Sequence, residues 1–173
     1  MDFLTANDRQ GEYPRSYYAD TAQTLSRFPR ANGALECDVC VVGAGFTGLS
    51  TAYHLAQRGY DVIVLDAQRV GFGASGRNGG QVSMGQRIEQ DALEKMLGLD
   101  QARALWDIGA QAVGLVRELA QKDEVKTDFH DGVIHTIHRP RYQRYVEDYV
   151  KTLSENYGYD KIRVLDKEEC RHL

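Results

Sequence analysis

The stretch that decides the fold is Val41-Val42-Gly43-Ala44-Gly45-Phe46-Thr47-Gly48-Leu49. It spells G-x-G-x-x-G straight after a short apolar run, Asp38-Val39-Cys40-Val41-Val42. Such a run, ending abruptly in glycine, suits a strand buried on both faces. Beyond it, Leu49, Ala52, Tyr53 and Ala56 recur at helical spacing, and Gly59 stands where a helix is expected to end. Asp61-Val62-Ile63-Val64-Leu65 is a second β-branched run, closed by Asp66. Strand, tight turn, helix and strand within about thirty residues make a βαβ unit, with parallel strands and a right-handed crossover.

Each glycine of the first segment has a physical task. Gly43 permits the turn off the strand, Gly45 leaves room for a pyrophosphate against the backbone, and Gly48 lets helix and strand approach closely. With Ala44, Phe46 and Thr47 they form a loop whose N–H groups, backed by the helix dipole, suit phosphate oxygens. Asp66 lies eighteen residues past Gly48, where a carboxylate accepts hydrogen bonds from an adenosine ribose and disfavours a 2′-phosphate.

A second glycine-rich strip selects among dinucleotides. Gly71-Phe72-Gly73-Ala74-Ser75-Gly76-Arg77-Asn78-Gly79-Gly80-Gln81 makes poor helix and poor strand, and suits backbone lying flat against a ligand. FAD is longer than NAD, and its ribityl chain and flavin ring need such a strip. Ser75 and Asn78 can hydrogen-bond polar ligand atoms, while Arg77 can offset phosphate charge or pair within the protein. Gly73, Ala74, Gly79, Gly80 and Gln81 complete the candidate cofactor contacts. A flexible loop that binds nothing is the competing reading of this strip.

Composition narrows the classes. The 173 residues are 42% hydrophobic and 27% charged, ordinary for a soluble globular protein. A net charge of -4 gives no reason to expect nucleic acid or an anionic membrane as partner. No stretch is apolar and long enough to span a bilayer, and the start MDFLTANDRQ lacks the regions of a secretory signal, so a cytoplasmic location is the default. The 3 cysteines show no framework spacing, which fits a reducing compartment. Cys37 and Cys40 do spell C-x-x-C. On a strand, however, their Cα atoms lie roughly 10 Å apart with side chains on opposite faces, too far for a disulfide. They read as small apolar strand residues. His130, His135 and His138 read as a solvated hairpin rather than a metal site, and His54 as helix packing or surface.

Around the βαβ unit the chain is predicted as follows. Residues 1–34 form an arm containing Tyr13-Pro14, Ser16-Tyr17-Tyr18 and Phe28-Pro29, whose tyrosines point to packing along a surface. For its first ten residues a poorly ordered terminus is the competing reading. Residues 35–126 are expected to be the first part of an FAD-binding domain, and 127–173 the start of an α+β substrate domain. Asp100 is expected to cap a helix whose Leu105, Trp106, Gly109, Ala112, Val113, Val116 and Leu119 form one apolar stripe. Residues 127–138 are predicted as a hairpin about Asp131-Gly132, residues 141–156 as a helix and residues 161–165 as a strand. Asp166-Lys167-Glu168-Glu169 has capping-box spacing, so a helix is expected to begin there, barely a turn before Leu173. A chain that stops while nucleating a helix reads as the front piece of a longer polypeptide.

The residues from Val41 to Ser50, Asp66, and the strip from Gly71 to Gln81 resemble the FAD-binding start of the D-amino-acid-oxidase-like FAD-dependent oxidoreductases. Within them the chain is most similar to the gamma-glutamylputrescine oxidases, whose arm carries a Ser-Tyr-Tyr-Ala element like Ser16 to Ala19. The resemblance covers nearly the whole chain and is strongest between residues 37 and 81. It implies a Rossmann-like FAD-binding domain of the glutathione-reductase type, incomplete here, with the start of a substrate domain. It also implies FAD as cofactor and a small-molecule amine and O2 as partners. The amine C–N bond would be oxidised to give aldehyde, ammonia and hydrogen peroxide. Many members carry glutamate where Asp66 stands. Members are also more than twice as long, so a missing C-terminal part of the same polypeptide would supply most of the substrate pocket. No catalytic acid or base can be named among the residues present. Backbone N–H groups near Gly79, Gly80 and Gln81 are expected to stabilise negative charge on the reduced flavin. An NAD-linked or other flavin reductase, and a non-catalytic truncated product, stay open as alternatives. Alone, the chain is expected to be poorly soluble or loosely folded and to bind FAD weakly.

Overall fold

The computed structural model describes residues 9–122, 125 and 127–172. The reading of the first ten residues as a poorly ordered terminus therefore lies, apart from Arg9 and Gln10, outside the described residues. The chain divides into two compact units between Gly80 and Gln81.

The first unit holds a short helix α1 (Tyr17–Thr21), strand β1 (Val39–Val42), helix α2 (Phe46–Gln57) and strand β2 (Val62–Leu65). The strands run parallel in a two-stranded sheet, with Val39 opposite Val62 and Val42 opposite Leu65. This is the βαβ unit read from the sequence, and its two ends are pinned. At the N-terminal end, Asp61 N–H donates to Asp38 Oδ2 at 2.8 Å, and the Asp61 carbonyl accepts from Asp38 and Val39 N–H at 3.0 and 3.1 Å. At the C-terminal end, Gly43 N–H donates to the Leu65 carbonyl at 2.7 Å. Gly59 follows α2 as expected and closes it through its N–H to Ala56 O at 2.9 Å.

One expectation fails here. β1 was predicted buried on both faces, yet Cys40 and Val42 are exposed and Val39 and Val41 only half-buried. A parallel sheet needs cover on both sides, and Val42 remains 85% exposed. Cys37 precedes the strand and Cys40 lies within it, both as free thiols.

The second unit is helical: α3 (Gln90–Leu97), α4 (Leu99–Ala120) and α5 (Gln143–Tyr157). It begins at Gln81, and α3 packs on α4 and α5. Gly98 separates α3 from α4 and is itself the cap of α4, so Asp100 lies in the first turn and does not cap it. There its carboxylate still faces the positive end of the helix dipole. Along the predicted stripe, Trp106 and Gly109 are buried, while Ala112 and Val116 are exposed. Trp106 packs between the rings of Tyr157 and Tyr159, each with its centroid 5.3 Å away. Leu93, Ala102 and Leu153 complete this small core. Buried among them, Gln90 donates Nε2 to Ala102 O at 2.6 Å, and its N–H donates to the Tyr149 hydroxyl at 3.1 Å. Desolvation pushes the Tyr149 phenol up to about 12.

The predicted hairpin and final strand are not formed. Among the described residues of 127–138 and 161–165 there is no strand. A lone two-stranded hairpin is marginal without a sheet or helix over its apolar face, and Val133 and Ile134 stay 49% and 62% exposed. Asp131 pairs instead with Arg117 of α4 at 2.6 Å. His130 pairs with Asp128 at 2.9 Å on the exposed surface. The capping box does form: Asp166 Oδ1 accepts from Glu169 N–H at 2.8 Å, and Glu169 Oε2 accepts from Asp166 N–H at 2.9 Å. It opens a single 3-10 turn, Glu169–Arg171. That backbone bond from Asp166, helped by Arg163, holds the Glu169 carboxyl below its usual range.

Candidate functional site: the loop at the N-terminus of α2

The site lies where both strands of the βαβ unit end. Gly43 leaves β1 with φ +103, a left-handed conformation that side chains resist. The chain then turns through buried Ala44, whose N–H donates to Asp66 Oδ2 at 2.7 Å. Asp66 Oδ1 accepts from Gln68 N–H, also at 2.7 Å. The carboxylate therefore ties the first glycine loop to the exit of β2, and each oxygen keeps a further lone pair for a ligand hydroxyl.

Gly45 is the N-cap of α2 and makes no side-chain cap bond. That task falls to Ser75 of the second strip, whose Oγ accepts from Phe46 N–H at 2.9 Å. A Cβ added at Gly45 would sit 2.9 Å from that same Oγ. The N–H groups of Gly45, Thr47 and Gly48 meet no acceptor among the described residues. Gly48 packs so closely on the turn that an added Cβ would lie 1.9 Å from Gly43 O.

The second strip largely braces itself. Gly73 opens a 3-10 turn, Ala74–Gly76. Asn78 Nδ2 donates to Ala74 O and Ser75 O at 3.2 and 2.9 Å, and Asn78 Oδ1 accepts from Gly80 N–H at 2.9 Å. Arg77 Nε donates to Phe72 O at 2.9 Å, and its guanidinium lies 5.0 Å from the Phe72 ring centre. Asn78 and Arg77 thus shape the loop, and the Gly80 N–H already has a protein acceptor. Gly79 N–H meets no acceptor among the described residues. Gln81 is the first residue of the second unit.

The arm packs on the exit of β2 through partners that no local sequence signal names. Tyr13 lies between Phe72, stacked at 6.5 Å, and the Arg69 guanidinium, 4.3 Å from its ring centre. Its hydroxyl donates to Val70 O at 2.7 Å, and Gly11 N–H donates to Gln68 Oε1 at 2.7 Å. Tyr17 and Tyr18 do not share that packing and stay exposed. Between the arm and the end of β2 opens a cavity of about 720 Å³. Its inner wall includes Ala44, Leu65 and Asp66, and its outer wall Leu25, Phe28 and Arg30. Tyr13-Pro14 and Phe28-Pro29 signalled an ordered arm, but nothing local to them names its partner.

The glycine turn, its parallel strands and the acid at the end of β2 define the first βαβ unit of a Rossmann-like nucleotide-binding domain. The chain belongs to the FAD-dependent oxidoreductase family DAO, whose model matches residues 38–173. It is 39% identical to the gamma-glutamylputrescine oxidoreductase of Escherichia coli, over 92% of this chain and 37% of that protein. Probable oxidoreductases OrdL of Rhizobium meliloti and Haemophilus influenzae are each 36% identical, over 89% and 92% of the chain. The chain thus spans only 36% to 37% of the length of these curated relatives. No solved structure matches it at a significant level. No described helix is long and apolar enough to cross a membrane.

Proposed function

We propose that this chain binds FAD and is the cofactor-holding part of an amine-oxidising flavoprotein. One observation carries the reading. The N–H groups of Gly45, Thr47 and Gly48 are unpaired among the described residues, beside a Gly45 that has no side chain, and Asp66 stands at the adjoining strand end. A diphosphate meets those N–H groups and the positive end of α2, while the Asp66 carboxylate takes the ribose hydroxyls. Ser75 accepts from Phe46 N–H and keeps its own hydroxyl proton, so it can donate to the same phosphate. In the second strip, the Gly79 N–H meets no acceptor among the described residues and so stays available to the flavin.

When bound, FAD supplies two-electron acceptor chemistry that no side chain here provides. The residues of this chain bind and orient it. The substrate class is taken from the gamma-glutamylputrescine oxidoreductase of Escherichia coli, to which the chain is similar. A gamma-glutamylated amine would be oxidised by O2 to the imine, with release of hydrogen peroxide, and water would hydrolyse the imine to aldehyde and ammonia.

The test uses the protein encoded by the whole reading frame. Purified protein should carry a yellow cofactor that is released as FAD, and should form peroxide with gamma-glutamylputrescine under air. Protection against unfolding by NAD but not FAD would favour the reductase alternative. Bound FAD with inactivity on primary and secondary amines alike would remove the oxidase assignment and leave the cofactor assignment standing.

A further inference from the structure

We propose that the arm, through residues 25–31, is the outer wall of the adenosine subsite and holds the adenine of FAD against the exit of β2. The inference rests on the FAD reading above and adds to it a part of the chain outside the family domain. That domain begins at residue 38. The match to the Escherichia coli relative covers 92% of the chain and so reaches into the arm.

Three observations converge on the cavity between arm and βαβ unit. First, its inner wall contains Asp66, and a ribose held there puts its base in the same cavity. Second, the outer wall presents flat and apolar groups without protein partners on their faces. Phe28 is 70% exposed and Leu25 55% exposed, and Arg30 makes no hydrogen bond or ion pair with any described residue. An aromatic ring and a guanidinium plane are the side chains that stack on a purine. Third, the strip is fastened rather than loose. Arg27 Nη2 donates to Gly11 O at 3.1 Å, and Arg69 of the β2 exit donates to Leu25 O. Tyr13 and Gly11 anchor the preceding residues on Val70 and Gln68. Phe28, Arg30 and Asp66 thus line one cavity, and the strip carrying Phe28 and Arg30 is tied to the βαβ unit through Leu25 and Arg69.

Adenosine would then order the arm, and the arm would shield adenosine. A ligand without the adenosine half gains nothing from it.

Trypsin cleavage after Arg27 and Arg30, in the apoprotein of the whole reading frame, reads this directly. FAD and ADP should each slow cleavage at both sites at least tenfold, and FMN should leave it unchanged. Flavin fluorescence, followed in parallel, reports FAD binding itself. If FAD binds while both sites are cut at the apoprotein rate, the arm proposal fails and the cofactor reading survives. If FAD does not bind, both fall. Phe28→Ala and Arg30→Ala lie on exposed positions and should each weaken ADP about tenfold, in line with the loss of one stacking partner. Wild-type ADP affinity in both variants would overturn the proposal.

Discussion

Replacing Gly48 by alanine tests whether the close approach of helix and turn is the feature that shapes this site. The added Cβ would lie 1.9 Å from Gly43 O, 3.0 Å from Gly43 C and 3.3 Å from Val41 Cγ1. Ordinary carbon contacts begin at roughly 3.5 Å. The added Cβ is fixed rigidly to the α2 backbone, and its two nearest contacts are backbone atoms of Gly43, which is tethered to Leu65 O by its own N–H at 2.7 Å. The start of α2 must therefore retreat from β1. Overpacking of this kind costs about 1–3 kcal/mol, and with backbone atoms as the nearest contacts the upper end is expected. Against it stands the helix preference of alanine over glycine, about 1 kcal/mol. The net loss is about 2 kcal/mol.

Gly114 supplies the control. It lies inside α4, and an added Cβ there meets nothing within 4 Å. Gly114→Ala should therefore gain roughly 0.5–1 kcal/mol. The same chemical change thus has opposite signs at two helical glycines, separated by about 3 kcal/mol, or about a hundredfold in folding equilibrium. Urea unfolding of wild type and both variants, in the protein of the whole reading frame, measures the difference. Flavin fluorescence should show FAD affinity falling at least tenfold in Gly48→Ala alone, because the Thr47 and Gly48 N–H groups move with the helix. A Gly48→Ala protein with the wild-type midpoint and wild-type FAD affinity would refute the reasoning.

Three further outcomes are expected. Ser75→Ala removes the acceptor of Phe46 N–H and should cost the apoprotein about 1 kcal/mol, the usual worth of an N-cap. Because the Ser75 hydroxyl would also donate to the diphosphate, the loss should grow when FAD is bound; equal losses with and without FAD would contradict the assignment. Tyr149 is raised from 10.0 to about 12, chiefly by desolvation, so the unfolded chain releases this proton first as pH rises. Its contribution is whole below pH 10 and is lost between pH 10 and about 12. Tyr149→Phe should flatten the fall of urea midpoint across that window, and an unchanged slope would exclude the phenol as its source. Finally, the 173-residue chain alone should unfold broadly, since its sheet has two strands and Val42 is 85% exposed. A sharp cooperative transition with stoichiometric FAD would show that this sheet needs no further cover.

Legibility in the sequence followed the range of the interactions. The βαβ unit was readable because strand, turn and helix signals lie within a few residues of one another, from Val39 to Leu65. The capping box of Asp166 and Glu169 was readable for the same reason. Trp106 was correctly placed in the core, because helical spacing alone puts it on the apolar face. The hairpin about Asp131-Gly132 shows the opposite case. Its turn residues and β-prone flanks are real local signals, but a hairpin without a third strand or helix lacks the burial to hold its ladder. Asp100 failed as a cap because Gly98, two residues earlier, already broke the chain between α3 and α4.

Within the candidate site the division is sharper still. The sequence by itself determined which residues form the turn: glycines at 43, 45 and 48 with an acid at 66, each required by local backbone geometry. Tertiary structure alone decided what those residues meet. It made Ser75 the cap of α2, turned Asp66 into the tie to Ala44, bent Asn78 and Arg77 inward to brace their own loop, and laid the arm across the end of β2. Conformational preference is written in neighbouring residues. A partner twenty to sixty residues away is chosen only when packing brings its hydrogen-bonding groups within reach.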